Sequence, residues 1–222
     1  MFQIIYPIGI RCVTDELLKR LSIKNMSSVF GSLNIKTFDN IVKCIDNNFD
    51  ILINKNNIIS SQNIPLLINS PYVRTMHKLF DDLEDWDTST IPHYDLTTQK
   101  DMNHMLRCIE RFNKIRDNNI PTLFLNISVA SEYNNTINTE KIVDCLCKTN
   151  WNNFHIIFIY FNEESQKKIN KIYSDKFKTI YVISDTCNTN SNEYDKCAVY
   201  LNKILEDFNI NNLVSIDFIN NL

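Results

Sequence analysis

Short runs of apolar residues, separated by segments of helical periodicity, limit most strongly how this chain folds. Residues 3–8, 122–128, 154–161 and 178–184 are rich in Ile, Val, Phe or Tyr. Residues 14–21, 36–46, 101–117, 139–148, 163–173 and 193–208 instead have helical patterns. The runs Thr122-Leu123-Phe124-Leu125 and His155-Ile156-Ile157-Phe158-Ile159-Tyr160-Phe161 are apolar throughout. A half-exposed strand alternates apolar with polar residues, whereas continuous apolarity belongs to a strand covered on both faces. The second half therefore predicts helix and strand in strict alternation with short connections. That is the pattern of a three-layer α/β fold whose largely parallel sheet is flanked by helices. A length of 222 residues suits one such domain, spanning residues 1–222.

The pattern is less regular between residues 50 and 100. Ile51-Leu52-Ile53 and Ile58-Ile59 flank an Asn-Lys-Asn-Asn stretch, which predicts a hairpin. Pro65, Pro71 and Pro92 punctuate the rest of this region, and the acidic run Asp81–Asp87 reads as a solvated loop or helix end.

Composition removes several classes of function. A net charge of −3 with scattered lysines lacks the basic face that general nucleic-acid binding requires. None of the seven cysteines forms a pair with metal-ligand spacing, Cys145-Leu146-Cys147 being too close, so neither a metal nor another cofactor is expected. An odd number of cysteines without a basic leader predicts free thiols in a reducing compartment, hence a cytoplasmic protein. No run reaches the roughly 18 apolar residues of a membrane span. Asn is abundant and glycine occurs only twice. Asn47-Asn48, Asn118-Asn119 and Asn211-Asn212 are therefore expected to supply left-handed turn positions. Heavy use of Asn, Ile and Lys matches an AT-rich coding sequence like those of large DNA viruses or certain protists; for a virus the compartment is the host cytoplasm.

Two places draw attention as chemistry. Cys12 stands where the apolar segment Gln3–Gly9 runs into the helix pattern that begins at Thr14. Unpaired N–H groups and the positive dipole end of a helix lower a thiol pKa, and Arg11 adds positive charge beside it. The same position also suits a small buried hydrophobe. A thiol nucleophile needs a base, and His93 lies in the irregular stretch Ile91-Pro92-His93-Tyr94-Asp95 before the long helix at 101–117. Asp95, two residues on, shares a face with His93 if the segment is extended and is then able to orient the ring. His155 opens an apolar strand and reads as structural, while His77 and His104 read as surface positions. The polar loop 184–193 comes after the last strand and is placed to border a ligand crevice. No serine-hydrolase elbow, phosphate loop or zinc-protease motif is present.

Ile8-Gly9-Ile10-Arg11-Cys12, the Leu-rich helix to Leu21, and the elements His93-Tyr94-Asp95, Arg107-Cys108-Ile109-Glu110-Arg111-Phe112 and Thr122-Leu123-Phe124-Leu125 come in one order. Together they resemble a family of bacterial and large-virus proteins described as papain-like cysteine peptidases. Ser28-Val29-Phe30-Gly31-Ser32-Leu33 stands at the place of that family's Pro-Phe-Asp-Trp-like segment, keeping the Phe only. The resemblance covers about residues 3–128. It implies Cys12 as nucleophile, His93 as general base, Asp95 as its orienter, and a peptide or small acyl substrate. Arg107 and Arg111, four apart on one helical face, are candidates to hold an anionic group or to form salt bridges.

The resemblance also implies a second architecture, papain-like α+β, beside the parallel α/β one. A nucleophile between a first strand and first helix is similar, too, to the lipase/esterase group with a Ser-Gly-Asn-His set, in which Asn126 matches the amide donor. The functional expectation is a cysteine-dependent hydrolase or acyl transferase. The alternatives are a non-catalytic interaction or virion-associated protein that retains the fold, and an anion- or glycan-binding α/β domain.

Overall fold

A computed structural model describes residues 1–9, 12–33, 35, 37–63, 75–77, 90–91, 93–129, 136–162, 166–185, 194–208, 210 and 213–222. Its centre is a five-stranded sheet in the order β1-β5-β6-β8-β7, formed by β1 (Ile4–Pro7), β5 (Thr122–Val129), β6 (Phe154–Asn162), β8 (Lys178–Ser184) and β7 (Lys168–Ser174). β1, β5, β6 and β8 run parallel, and β7 closes one edge antiparallel to β8. Of the two architectures expected, the α/β one is found.

Continuous apolarity in the strands has the predicted cause. Along β6, Ile156, Phe158 and Tyr160 enter one core while Ile157, Ile159 and Phe161 enter another. β1 divides in the same way, with Ile4 and Tyr6 opposite Ile5. Helices α1 (Val13–Arg20) and α6 (Tyr194–Leu205) cover the second face through Val13, Leu17, Leu18, Cys197, Leu201 and Ile204. An Arg20–Asp195 ion pair joins these two helices.

The first face is covered by α2 (Phe38–Asp46), α4 (Gln99–Asp117) and α5 (Thr136–Lys148). Phe112 of α4 is the centre of that core. Its ring lies 5.5 Å from Tyr6, 5.0 Å from Phe49, 5.4 Å from Trp151 and 6.3 Å from Phe30, all in tilted or edge-on geometry. Aromatic quadrupoles favour such arrangements. A short helix α7 (Ile216–Asn220) meets α4, where Lys114 Nζ donates to the carbonyl of Asn220 at 2.8 Å.

Three local expectations are corrected. The helix expected over 163–173 is the strand β7 from Lys168 onward, residues 163–165 lying outside the described set. Ile169, Ile172 and Tyr173 fit a helical period, but the open edge of β8 offers a full set of backbone partners. The lysines of this segment suit an edge strand that discourages further pairing. The hairpin expected near residue 55 is instead a helical turn α3 (Asp50–Ile53), a tight 3₁₀ turn at Lys55–Asn57, and a strand β2 (Ile58–Ser60). β2 pairs with β3 (Thr75–His77), and β3 with β4 (Thr90–Ile91), in a separate antiparallel sheet. His77, read as a surface residue, is buried there with Nε2 2.8 Å from the carbonyl of Ile51.

Asn48, Asn119 and Asn150 take positive φ, and neither glycine does. The expectation for Asn47-Asn48 and Asn118-Asn119 thus holds. Asn211-Asn212, the acidic run Asp81–Asp87 and most of the loop 184–193 lie outside the described residues.

Candidate active site

Cys12 occupies the junction that its sequence context predicts. β1 ends at Pro7, the N–H of Ile8 extends the pairing to the carbonyl of Leu125 at 2.9 Å, and Cys12 is the N-cap of α1. Its carbonyl accepts from the N–H of Glu16 at 3.2 Å, the first bond of the helix. The thiol therefore sits beside the amides that a helix leaves without intrahelical partners. Ile10 and Arg11 lie outside the described residues.

The electrostatics differ from the expectation of a lowered pKa. Burial pushes the half-buried Cys12 thiol up; its own N–H opposes this, and the carboxylates of Asp15 and Glu16 add to the rise while Lys19 opposes it. Two acidic residues in the first turn stabilise the helix, but they work against a thiolate.

Asp15 links this turn to the segment Ser28–Leu33. Its Oδ2 receives Lys24 Nζ at 2.7 Å and Lys19 Nζ at 3.2 Å, while Oδ1 is buried with no hydrogen-bond partner among the described residues. A Cβ on Gly31 would lie 2.6 Å from that Oδ1 and 2.6 Å from Ser28 Oγ. Only glycine lets the backbone come so close. The N–H of Gly31 donates to Ser28 Oγ at 2.9 Å, and Phe30 is fully buried against Phe49 and Phe112.

His93 is exposed, and among the described residues no hydrogen bond joins it to Cys12 or to Asp95. Asp95 is engaged elsewhere. Its Oδ1 accepts from the N–H and hydroxyl of Thr97 at 3.1 and 2.5 Å, and its own N–H donates to Asp101 Oδ2 at 2.9 Å. Thr98, the N-cap of α4, accepts from the N–H of Asp101 at 3.3 Å. Asp95 thus stands at the turn that leads into α4, where an Asp side chain satisfies backbone donors two residues on.

A thiol–imidazole contact does exist, on α4. Cys108 Sγ lies 3.6 Å from His104 Nε2 and 3.1 Å from Arg111 Nη2, and the same Nη2 donates to the carbonyl of Ser27 at 3.2 Å. The His104 ring stacks on Tyr94 at 4.5 Å. Burial raises the Cys108 thiol pKa, with Arg111 and Arg107 pulling it back. Burial lowers that of His104, assisted by Arg107 and Arg111 and opposed by Asp101.

The Asp15 and Cys108 groups also act together on two hydroxyls. Tyr94 is raised first by burial, then by Cys108 and Asp15. Fully buried Tyr6, whose oxygen accepts from the N–H of Val29 at 3.1 Å, is raised by burial, with Cys108 and Asp15 adding. Residues from β1, α1, the 28–33 segment and α4 therefore share one corner of the fold. His104, Cys108 and Arg111 fall at i, i+4 and i+7 of one helical stripe, a spacing readable in the sequence.

Arg107 and Arg111, with Glu110, Lys114 and Asn220, line a cavity of about 230 Å³. Arg107 is exposed, whereas Arg111 is buried and held by Ser27 and Cys108, its Nε having no hydrogen-bond partner among the described residues. Asn126, a candidate amide donor, is fully buried; its Nδ2 donates to the carbonyl of Ile8 at 3.2 Å and its Oδ1 accepts from Ser128 Oγ at 2.9 Å. It ties down the end of β1 instead. His155 has its structural role, its ring bridging the carbonyl of Lys176 at 3.1 Å and Thr179 Oγ1 at 2.9 Å.

A family model described as "Putative papain-like cysteine peptidase" matches residues 4–164, more than half of the chain. The chain belongs to this family. No curated protein and no solved structure matches it. Within the peptidase-like family's span lie Cys12, the 28–33 segment, His93, Asp95, α4, β5 and β6; β8 and α6 lie beyond it. Among the described residues no three His, Cys, Asp or Glu side chains gather as a metal site, and no helix is long and apolar enough to cross a membrane.

Proposed function

We propose that this chain is a cysteine-dependent hydrolase or acyl transferase acting on a peptide or small acyl substrate, with Cys12 as nucleophile. The observation that carries the reading is the position of Cys12 as N-cap of α1, at the carboxyl end of β1 and inside the family's span. His93 removes the Cys12 proton as the sulfur attacks the substrate carbonyl. The raised thiol pKa makes such a base necessary. The first amides of α1 hold the developing oxyanion. His93 then returns the proton to the departing amine or alcohol, and water or an acceptor cleaves the thioester.

Asp95 orients His93 in this reading once its carboxylate leaves Thr97, and exposed Arg107 receives an anionic substrate group. The test is trapping of an acyl-enzyme from a panel of peptide thioesters, with mass spectrometry to locate the adduct. An adduct on Cys12, lost in Cys12→Ala and slowed in His93→Ala, supports the proposal. Activity that survives Cys12→Ala refutes it.

A specific observation favours a second assignment of the nucleophile within the same reaction class. Cys108 has an imidazole within 3.6 Å and a guanidinium within 3.1 Å, so its proton acceptor and thiolate partner are already in contact. Its near-complete burial, at 1% exposure, requires surrounding side chains to move before a substrate reaches it. The adduct's position distinguishes the two thiols.

A further inference from the structure

The cavity between α4 and α7 is bordered by a charged group that the fold leaves incompletely satisfied. It measures about 230 Å³ and is lined by Arg107, Glu110, Arg111, Lys114 and Asn220. Both helices belong wholly to the described residues. Arg111 is only 8% exposed, yet its two hydrogen bonds, to the carbonyl of Ser27 and to Cys108 Sγ, both leave from Nη2. Nε is buried without a hydrogen-bond partner among the described residues, and Nη1 makes no hydrogen bond there either. A guanidinium carries five N–H donors and no acceptor, and a buried donor left unmatched is costly. With Nη2 committed and Nε enclosed, Nη1 is the atom left to face the cavity.

The neighbours of Arg111 narrow the chemistry of the missing acceptor. Arg107, one turn earlier on the same stripe of α4, is exposed and makes no ion pair or hydrogen bond among the described residues. Lys114 is already engaged: its Nζ donates to the carbonyl of Asn220 at 2.8 Å and lies 3.6 Å from Glu110 Oε1. The other carboxylates of α4 are used elsewhere, Asp101 by the N–H of Asp95 at 2.9 Å and Asp117 by Arg116 at 2.8 Å. Two guanidiniums thus border the cavity with no carboxylate paired to either among the described residues. Their combined charge matches a dianion, and their planar forks suit the oxygens of a phosphate. A volume below the few hundred Å³ of a drug-sized site suits a group that compact.

We propose that this cavity binds a phosphate group, either as the free ion or as the monoester end of a small molecule. Arg111 donates to it from the buried side through Nη1, and Arg107 closes on the outer oxygens. Arg107 and Glu110 are exposed and set the mouth of the cavity at the surface, where an ester substituent fits. The proposal gives a chemical class to the anionic group that Arg107 receives, and rests on the acyl-transfer reading only where the phosphate is part of the acyl substrate. Binding itself needs no thiol. The Cys12→Ala protein therefore binds phosphate as the native protein does, and phosphate binding without any acyl adduct counts against the acyl-transfer reading alone.

Isothermal titration of the full chain at constant ionic strength with inorganic phosphate, glycerol 3-phosphate, acetate and glycerol tests it. Inorganic phosphate or glycerol 3-phosphate is expected to bind, and the tighter of the two identifies the source of the phosphate. Acetate, with one charge, binds roughly ten-fold more weakly or less, and glycerol does not bind. Arg107→Ala, altered only at an exposed side chain, weakens phosphate binding by roughly ten-fold or more. Glu110→Gln removes the neighbouring carboxylate and tightens binding several-fold, a gain that misfolding does not produce. The proposal is overturned if neither phosphate ligand binds in the millimolar range, or if acetate binds as tightly as they do. Unchanged affinity in Arg107→Ala, or affinity in Glu110→Gln that stays equal or falls, overturns it as well.

Discussion

Gly31 approaches Asp15 so closely that a methyl group on it would stand 2.6 Å from the Asp15 carboxylate oxygen. The contact joins the segment that carries Phe30 to the first turn of α1, directly after Cys12. Gly31→Ala forces backbone or carboxylate to move, and overpacking of this kind costs about 1–3 kcal/mol. A thermal melt is expected to show a midpoint several degrees lower; a midpoint equal to that of the native protein would mean that the segment yields freely.

The raised pKa of Cys12 sets its reactivity. Because burial and the Asp15 and Glu16 carboxylates hold the sulfur protonated, its alkylation rate should climb continuously as pH rises from neutral through the ordinary thiol range. Peptide mass spectrometry after timed iodoacetamide treatment reads this directly. A rate independent of pH would instead indicate a preformed thiolate–imidazolium pair.

Arg111 holds Cys108 and the carbonyl of Ser27 with one Nη2 atom. Removing it in Arg111→Met leaves a part-buried carbonyl without its donor, a loss of about 1 kcal/mol. Arg111→Lys is not expected to restore it, since the strongly hydrated ammonium sits on a stem that ends short of the Nη2 position. Urea midpoints of the two variants should both fall below that of the native chain, and full recovery with lysine would show that an ammonium can make both contacts.

Phe112 meets four aromatic rings in the first core. Phe112→Ala removes that centre and should destabilise the chain by about 3–5 kcal/mol, the range for deleting a buried ring. Chemical denaturation measures it. A loss below about 1 kcal/mol would mean the surrounding rings collapse to fill the space.

His77 and His155 both have pKa values lowered by burial, each opposed by a hydrogen bond to a backbone carbonyl. In the folded chain they stay neutral while the unfolded chain takes up protons near pH 6.5. Stability from these residues is therefore complete above about pH 6.5 and is lost as pH falls from there through their folded values. The urea midpoint at pH 5.5 should lie below that at pH 7.5, and His155→Gln should flatten the difference. An equal slope in that variant would assign the pH effect elsewhere.

Legibility in the sequence followed locality. The strands β1, β5, β6 and β8 were readable because each residue's face follows from its parity, and both parities here are apolar. Segment 168–174 was misread because three apolar side chains at helical intervals do not reveal the free edge of β8 that recruits them. For Asp95, spacing alone does not name its hydrogen-bond partners, which are the N–H and hydroxyl of Thr97. Asn126 lies inside β5, and its hydrogen bond to the carbonyl of Ile8, distant in sequence, is visible only in the fold.

The amino-acid order by itself determined the layered α/β arrangement, the junction that holds Cys12 and the turns made by Asn48 and Asn119, since these depend on side-chain period and on local backbone preference. Tertiary packing decided the rest. It partly buried the Cys12 thiol, set Gly31 against Asp15, tied Asn126 to the carbonyl of Ile8, and brought Tyr94 and the carbonyl of Ser27 to the His104–Cys108–Arg111 stripe. Desolvation and hydrogen-bond partners come from residues far away in the chain, so the reactivity of a group depends on neighbours that its own surroundings in sequence do not name.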